Sequence, residues 1–275
     1  MGVMARDEIR SGDHIIAGWR GRTVVVKYGG DAMEQAHLKE GLSRDIAALR
    51  LAGVNLVVVH DGGLRSARFS GDPRVTDDET MELVERAVAT TTDEIARLIG
   101  RHGVEAVGSG AWPGRIVRAC RRIPPPPAGE SIDRGRVGDV AGVNPRPIRA
   151  LHERGIVPVI GPLGTGVDGR TYNIDADLVA GEVAAALGAD LLVYLTDAPG
   201  ILDRGGCRFR RMSRWAVDSL VREGLIDDGM LPKIEGCVRA LKGGAAQAQL
   251  LDGRVPHAVP MALRAPHRVG TEIVL

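Results

Sequence analysis

The stretch "VVVKYGGDAM", residues 24–33, decides the fold because it joins a buried strand to a charged, glycine-rich turn. Three consecutive valines predict a strand that is covered on both faces, as in a parallel sheet. Lys27 ends the apolar run, and Gly29 and Gly30 follow it closely. Glycine turns expose backbone N–H groups that can converge on an anion, and ligands of open α/β sheets bind at strand ends. The stretch therefore indicates an α/β protein that holds an anion there.

The alternation of strand and helix continues along the chain. Short apolar runs at 55–59, 156–160 and 191–196 are separated by long stretches with helical periodicity, such as 34–53 and 77–103. This rhythm predicts a mainly parallel sheet with helices on both faces. Four prolines at 124–127 interrupt it and indicate an exposed loop or hairpin tip, since proline fits neither a helix interior nor a central strand.

Composition excludes several classes of protein. The chain has 275 residues with 36 Lys and Arg against 35 Asp and Glu, so no charge excess points to a nucleic-acid partner. No segment is apolar over the length of a membrane span, and we expect a cytoplasmic protein. Cys120, Cys207 and Cys237 are far apart, which favours reduced thiols over a disulfide framework or a zinc site.

Two more strand ends resemble the first in chemistry. Two further glycine turns, 60–63 and 161–166, each follow a predicted strand. Together with Lys27, these turns would form a phosphate cradle. Each turn alone is also explained by ordinary tight-turn geometry. The chain has neither the P-loop pattern nor the GxGxxG pattern after its first strand, so the cradle would be of another design. Asp177 is either an N-cap or a site residue, and Lys233 is either solvated or functional.

Seven segments, in the same order along the chain, resemble the N-acetylglutamate kinases of the amino-acid kinase family. They are 24–33, 57–63, 74–81, 168–177, 195–203, 228–241 and 251–258. The resemblance implies a three-layer αβα sandwich with two lobes. Residues 1–187 would bind the acceptor and form a dimer interface, and residues 188–275 would bind the nucleotide. A homodimer is expected, and a hexamer is the less favoured alternative.

The resemblance also implies a reaction in which ATP phosphorylates the side-chain carboxylate of N-acetyl-L-glutamate. Roles follow only from matching positions. The catalytic residues would be Lys27, Lys233 and Asp177; the phosphate-binding residues Gly29, Gly30, Gly62 and Gly63; the substrate-binding residues Arg74 and Asn173; and the nucleotide-binding residues Thr196, Asp197 and Gly200. Mg²⁺ would be carried by the ATP phosphates rather than by protein ligands.

Several positions depart from the family pattern. Asp61 replaces the first of three glycines after His60, and a carboxylate there would repel phosphate unless it points away. Asp175 stands where asparagine is usual, and the segment 64–73 is short. These changes leave three readings open. The chain phosphorylates N-acetyl-L-glutamate, or it is a paralogue of a specialised pathway with a different or carrier-bound acceptor, or it binds nucleotide without turnover.

Overall fold

The structure is a computed structural model, and it describes residues 16–62, 76–108, 116–122, 135–226, 229–265 and 268–275. Twelve strands lie in this part of the chain. They are β1 Thr23–Tyr28, β2 Asn55–His60, β3 Ala106–Gly108, β4 Val117–Arg121, β5 Val137–Val143, β6 Val157–Ile160, β7 Leu163–Thr165, β8 Thr171–Ile174, β9 Leu191–Thr196, β10 Arg211–Ser213, β11 Ala248–Asp252 and β12 Thr271–Val274.

Seven α-helices connect or flank these strands. They are α1 Ala36–Leu51, α2 Asp78–Gly100, α3 Arg146–Glu153, α4 Ala176–Leu187, α5 Arg214–Arg222, α6 Leu231–Lys242 and α7 Ala258–Arg264. A 3-10 turn, Gly30–Met33, follows β1. None of the helices in the described ranges has the length and apolar character needed to cross a membrane.

Eight strands form the central sheet in the order β10-β12-β11-β9-β1-β2-β6-β3. Every neighbouring pair is parallel except β11 with β12. Strand β1 lies in the middle, so both of its edges are hydrogen-bonded, to β2 and β9, and its valines 24–26 are fully buried. The prediction of a mainly parallel sheet is confirmed. The valine run of β1 predicts it, because a continuous apolar strand is typical of a parallel sheet with both faces covered.

Helices cover both faces of the sheet and produce the three-layer αβα sandwich. On one face, α4 and α6 pack on residues such as Val25 and Leu192. On the other face, α1, α2 and α7 pack on residues such as Val24 and Val26. Successive residues of β1 therefore point into different cores, and Lys27 shares the face of Val25 because strand side chains alternate.

The remaining four strands form a small closed barrel, β4-β5-β8-β7, beside the sheet. The apolar run 156–160 forms β6, and the predicted glycine turn at 161–166 contains Gly161 and Pro162, which separate β6 from the short strand β7. This split matters because β6 belongs to the sheet and β7 to the barrel. The prolines at 124–127 lie between β4 and β5 and outside the described residues.

The division into lobes at Gly188 stays a prediction. Gly188 ends α4 in a left-handed conformation with φ of 61°, which glycine adopts at little cost. The sheet continues across this point because β9 pairs with β1. Residues on both sides of Gly188 thus contribute strands to one sheet.

Two glycines let α4 and α6 approach each other closely. A Cβ atom at Gly181 would lie 2.5 Å from the carbonyl oxygen of Gly236, and one at Gly236 would lie 2.6 Å from the carbonyl oxygen of Asp177. Backbone atoms cannot yield as side chains do. The helix pair therefore has no room for any larger residue at these two positions.

We expect Gly236→Ala to lower the free energy of unfolding by about 1–3 kcal/mol, the usual cost of overpacking a core. Gly41→Ala is the matched control. Gly41 lies inside α1, and a Cβ atom there would meet nothing within 4 Å, so alanine should raise stability by about 0.5–1 kcal/mol. Urea unfolding of both variants measures the difference, and equal effects would contradict the packing described for α4 and α6.

Candidate active site

Lys27 is the central cation of the site, and it is almost entirely buried. It lies near the end of β1 with 2% of its side chain exposed. Its Nζ atom forms an ion pair with Asp61, and a second one at 2.9 Å with Oδ1 of Asp177. A buried ammonium without anionic partners would lose its proton. The two carboxylates therefore keep Lys27 charged.

Asp177 joins Lys27 to a second lysine. Its Oδ2 atom accepts a hydrogen bond of 2.9 Å from Lys233 Nζ on α6. Lys233 also donates to the carbonyl oxygen of Gly229 at 3.3 Å. Tyr194 Oη, on β9, donates to the backbone carbonyl oxygen of Asp177 at 2.6 Å. One carboxylate thus fixes two ammonium groups, and the close contact of α4 with α6 sets their separation.

The three charged groups reinforce one another's charge. Burial lowers the pKa of Lys27, but Asp177 and Asp61 outweigh it and leave the pKa raised. Burial likewise opposes the charge on Asp177, and its two lysines outweigh that effect and leave the pKa of the carboxyl lowered. Both groups therefore stay ionised across the neutral range, and two positive charges face the same space.

The N-terminus of α4 settles one open alternative. Asp175 is the N-cap residue, and its side chain accepts a hydrogen bond of 2.8 Å from the backbone N–H of Asp177. Asp177 is thus inside the first turn, free to pair with the lysines, and the N-cap interpretation of Asp177 is wrong. Asn173, Asp175 and Asp177 do not share one extended segment, because Asn173 lies in β8 and the helix begins at Ala176.

His60 organises the turn after β2. It is fully buried, and its Nδ1 accepts a hydrogen bond of 2.9 Å from the backbone N–H of Gly62. The proton is therefore assigned to Nε2, which donates to Thr92 Oγ1 at 2.8 Å. Burial, with Lys27 nearby, lowers the pKa of His60 to about 3. The ring is neutral, and it already uses the Gly62 N–H predicted to bind phosphate.

Glycines at the β1 turn lie directly against the charged groups. A Cβ atom at Gly29 would overlap the carboxylate of Asp61 and would lie 2.6 Å from Lys27 Nζ. Gly30 has φ of 67°, and a Cβ atom there would lie 2.6 Å from Oδ2 of Asp197. The turn after β1 and the turn after β9 therefore meet at one edge of the sheet, as their carboxyl ends predict.

The predicted nucleotide-binding residues lie on that neighbouring turn. Thr196 is the last residue of β9, and its hydroxyl donates to the carbonyl oxygen of Ala198 at 2.9 Å. Gly200 has φ of 128°, and a Cβ atom there would lie 2.5 Å from Thr271 Oγ1. Asp197 is exposed beside Gly30. These residues belong to the same edge as Lys27.

The acceptor side is only partly described. Asn173 lies in β8 of the small barrel, where its backbone N–H donates to the carbonyl oxygen of Arg136 at 2.8 Å. Its strand leads directly into α4, so it is close in sequence to Asp175. Gly63 and Arg74 lie outside the described residues. Among the residues that are described, no cluster of His, Cys, Asp or Glu is suited to a metal ion.

Sequence reasoning identified Asp61 but not its contact. We expected a carboxylate at this position to point away from the site or to repel phosphate, whereas it forms an ion pair with Lys27. Tyr194 and Gly236 were not singled out at all. Their signal is present only in three dimensions, because β9 and α6 carry them to Asp177 from distant parts of the chain.

Comparison with known proteins shows the family of this chain. A sequence model described as "Amino acid kinase family" matches residues 22–252. An acetylglutamate kinase of Burkholderia thailandensis is 40% identical over 268 residues, which are 93% of this chain and 90% of that protein. An acetylglutamate kinase of Nitrosococcus oceani is 42% identical over 271 residues, 92% of this chain and 90% of that protein.

Solved structures share the fold at lower identity. An N-acetylglutamate synthase from Neisseria gonorrhoeae, complexed with coenzyme A and L-arginine, superposes with a TM-score of 0.81 at 22% identity. The match covers all of this chain and 66% of the synthase, so this chain spans just under two thirds of it. A Giardia carbamate kinase has a TM-score of 0.64 at 15% identity, with 92% of this chain and 99% of that chain covered.

The neutral His60 gives the protein a predictable sensitivity to acid. The pKa of histidine in the unfolded chain is about 6.5, and in the folded protein that of His60 is about 3. The unfolded state therefore takes up a proton first as the pH falls below the unfolded value, and stability is lost between the two values. When the pH falls from 6 to 5, the free energy of unfolding should decrease in the wild type by about 1 kcal/mol more than in His60→Asn.

Urea unfolding at the two pH values measures these slopes, and comparing slopes removes any constant loss caused by the substitution. His37→Asn is the control, since His37 is exposed on α1. A His60→Asn slope equal to that of the wild type would mean that folding does not lower the pKa of His60.

Proposed function

Because this chain belongs to the amino acid kinase family, we propose that it transfers the γ-phosphoryl group of ATP to the side-chain carboxylate of N-acetyl-L-glutamate. The observation that carries the proposal is the pair of lysines held by one carboxylate, Lys27 and Lys233 on Asp177. The relatives named acetylglutamate kinase at about 40% identity support the choice of acceptor.

The chemistry needs charge neutralisation more than proton transfer. A carboxylate oxygen of the acceptor attacks the γ-phosphorus, a new P–O bond forms, and the bond to the β-phosphate oxygen breaks to release ADP. The acceptor is already a nucleophile, so no general base is required. An anion approaches a polyanion, and catalysis consists mainly of positioning and electrostatic stabilisation. Lys27 and Lys233 supply two preorganised positive charges, and Asp177 fixes their positions.

The nucleotide would approach the turns after β1 and β9. Gly29 and Gly30 would allow phosphate oxygens close to the backbone, where side chains would block them. Thr196, Asp197 and Gly200 would border the nucleoside, since the two turns meet at Gly30. Mg²⁺, carried by the phosphates, would neutralise part of their charge. Gly62 would contribute less than the sequence predicts, because its N–H is bonded to His60.

Acceptor recognition is assigned to Asn173 and, from sequence alone, to Arg74 and Gly63. A guanidinium binds a carboxylate in a two-pronged geometry, which suits the α-carboxylate of an amino acid. The short segment 64–73 favours testing a second candidate, a paralogue that phosphorylates a different or carrier-bound carboxylate.

We also propose a homodimer formed by helices of the N-terminal lobe, where Leu51 of α1 and Leu83 of α2 are exposed.

The proposal is tested by ADP release with a panel of acceptors and by trapping the acyl phosphate with hydroxylamine. N-acetyl-L-glutamate should give ADP and a hydroxamate in equal amounts. Free glutamate, N-acetyl-aspartate and N-acetyl-aminoadipate serve as alternatives. Turnover with another acceptor and none with N-acetyl-L-glutamate would favour the paralogue, and binding of nucleotide without any turnover would favour a non-catalytic protein.

We expect Lys27→Ala and Lys233→Ala each to lower kcat by about 100-fold or more, as for the loss of one preorganised charge-stabilising group. Asp177→Asn should also lower kcat, because both ammonium groups lose their common anchor. Lys242→Ala is the control: Lys242 is exposed and lies on the same helix as Lys233. Near-normal turnover in the first two variants would remove the lysines from the mechanism.

Asn173→Ala should raise KM for the acceptor by about tenfold while changing KM for ATP by less than about twofold, as expected for the loss of a hydrogen bond to a charged group. Initial-rate measurements with each substrate varied in turn give both constants. An equal rise in both KM values would mean that Asn173 supports the barrel rather than the acceptor.

A further inference from the structure

Asp61 is the more exposed of the two carboxylates that pair with Lys27. Within the described residues, Lys27 has one deep partner, Asp177, and one partner nearer the surface, Asp61. The side chain of Asp61 is 31% exposed, against 8% for Asp177 and 2% for Lys27. The carboxylate of Asp61 therefore separates the buried ammonium group from the space in front of the sheet edge.

The same carboxylate fills the space above the first glycine turn. A Cβ atom at Gly29 would overlap Asp61, and Lys27 Nζ lies on the other side of that space, 2.6 Å from the same point. A phosphoryl group that contacts both the Gly29 backbone and Lys27 needs this volume. Carboxylate and phosphoryl oxygens are both anionic acceptors, and an ammonium group binds either.

We propose that Asp61 is an internal competitor of the nucleotide phosphates: its carboxylate occupies their place on Lys27 and must move before nucleotide binds. This inference rests on the proposed function. Lys27 exchanges one anionic partner for another, so its charge stays paired throughout. The apparent affinity for nucleotide is lowered by the fraction of molecules in which Asp61 holds the site.

Electrostatics makes simultaneous occupancy unfavourable. Asp61 and Asp177 already surround Lys27. Asp175 is also within electrostatic reach of Lys27. Burial and the charge of Asp177 leave the pKa of Asp175 raised, although Lys27 opposes that rise. A phosphate added beside Asp61 would place further negative charge within a few ångströms, where like charges repel strongly. Displacement of the Asp61 side chain toward solvent removes that repulsion, and its partial exposure leaves it room to move.

The test measures binding of MgADP to the wild type, Asp61→Asn and Asp61→Gly by calorimetry. Asparagine keeps the size and removes the charge, and glycine removes the side chain. Both variants should bind MgADP about tenfold more tightly than the wild type. Asp218→Asn is the control, because Asp218 is a surface carboxylate that pairs with Arg214 on α5. Its affinity should equal that of the wild type.

A second readout does not need nucleotide. Labelling of Lys27 by trinitrobenzenesulfonate, followed by mass spectrometry of the peptide, should be at least severalfold faster in Asp61→Gly than in the wild type, because the covering carboxylate is gone. The labelling rate of Lys242 in the same samples measures the reactivity of the reagent and serves as the reference. Unchanged labelling of Lys27 would overturn the covering role.

The outcomes separate this inference from the proposed function. MgADP binding that is equal or weaker in both Asp61 variants, with turnover intact in the wild type, overturns the inference and leaves the function standing. Weaker binding in Asp61→Asn would make Asp61 a ligand of the nucleotide complex instead of its competitor. Absence of binding and turnover in every variant overturns both.

Discussion

Two ion pairs on one buried carboxylate hold the site together. Asp177 lies on α4, Lys27 on β1 and Lys233 on α6, so these contacts connect one layer of helices to the centre of the sheet. Removing one partner of a buried pair typically costs about 3–5 kcal/mol, because the other charge is left uncompensated. The free-energy cost of burying the three charges is offset only when all three are present. The arrangement therefore fixes a pair of positive charges at some cost in folding stability.

The backbone around Asp177 is built to permit this arrangement. Gly181 and Gly236 bring α4 and α6 within backbone contact, and Tyr194 donates a hydrogen bond to the carbonyl oxygen of Asp177. Burial and nearby acidic groups keep the pKa of the Tyr194 hydroxyl well above its usual value, so it remains a donor. Lys233 can therefore reach Asp177 from a different helix. The position of the second lysine depends on helix packing rather than on a local motif.

Sequence alone predicts the parts of this structure that local physics determines. The valine run gives β1, and helical periodicity gives α1 and α2 to within a few residues. Resemblance to known kinases selects Lys27, Lys233 and Asp177, and the structure brings these three together. The catalytic, nucleotide-binding and acceptor-binding roles of these and the other site residues stay predictions, and Arg74 lies outside the described residues.

The features that sequence did not predict are those formed by distant segments. The closed barrel joins strands between 117 and 174; β4, β7 and β8 are short, and the seven-residue β5, VGDVAGV, has no regular alternation of apolar and polar residues. The contact of Asp61 with Lys27 depends on the pairing of β1 with β2, because Lys27 lies in β1 and Asp61 directly follows β2. Local periodicity contains no information about such pairings. The same limit explains why sequence does not decide whether Asp177 is an N-cap or a site residue, since the answer depends on where α4 begins.

The most direct test of the central claim is a double-mutant cycle on unfolding free energy for Asp177→Asn and Lys233→Met. If Asp177 anchors Lys233, the double variant should be more stable than the sum of the two single losses predicts, with a coupling of at least about 1 kcal/mol. Lys242→Met, combined with Asp177→Asn, should be additive. Additivity for Lys233 as well would mean that the two side chains do not depend on each other in solution, which would contradict the account.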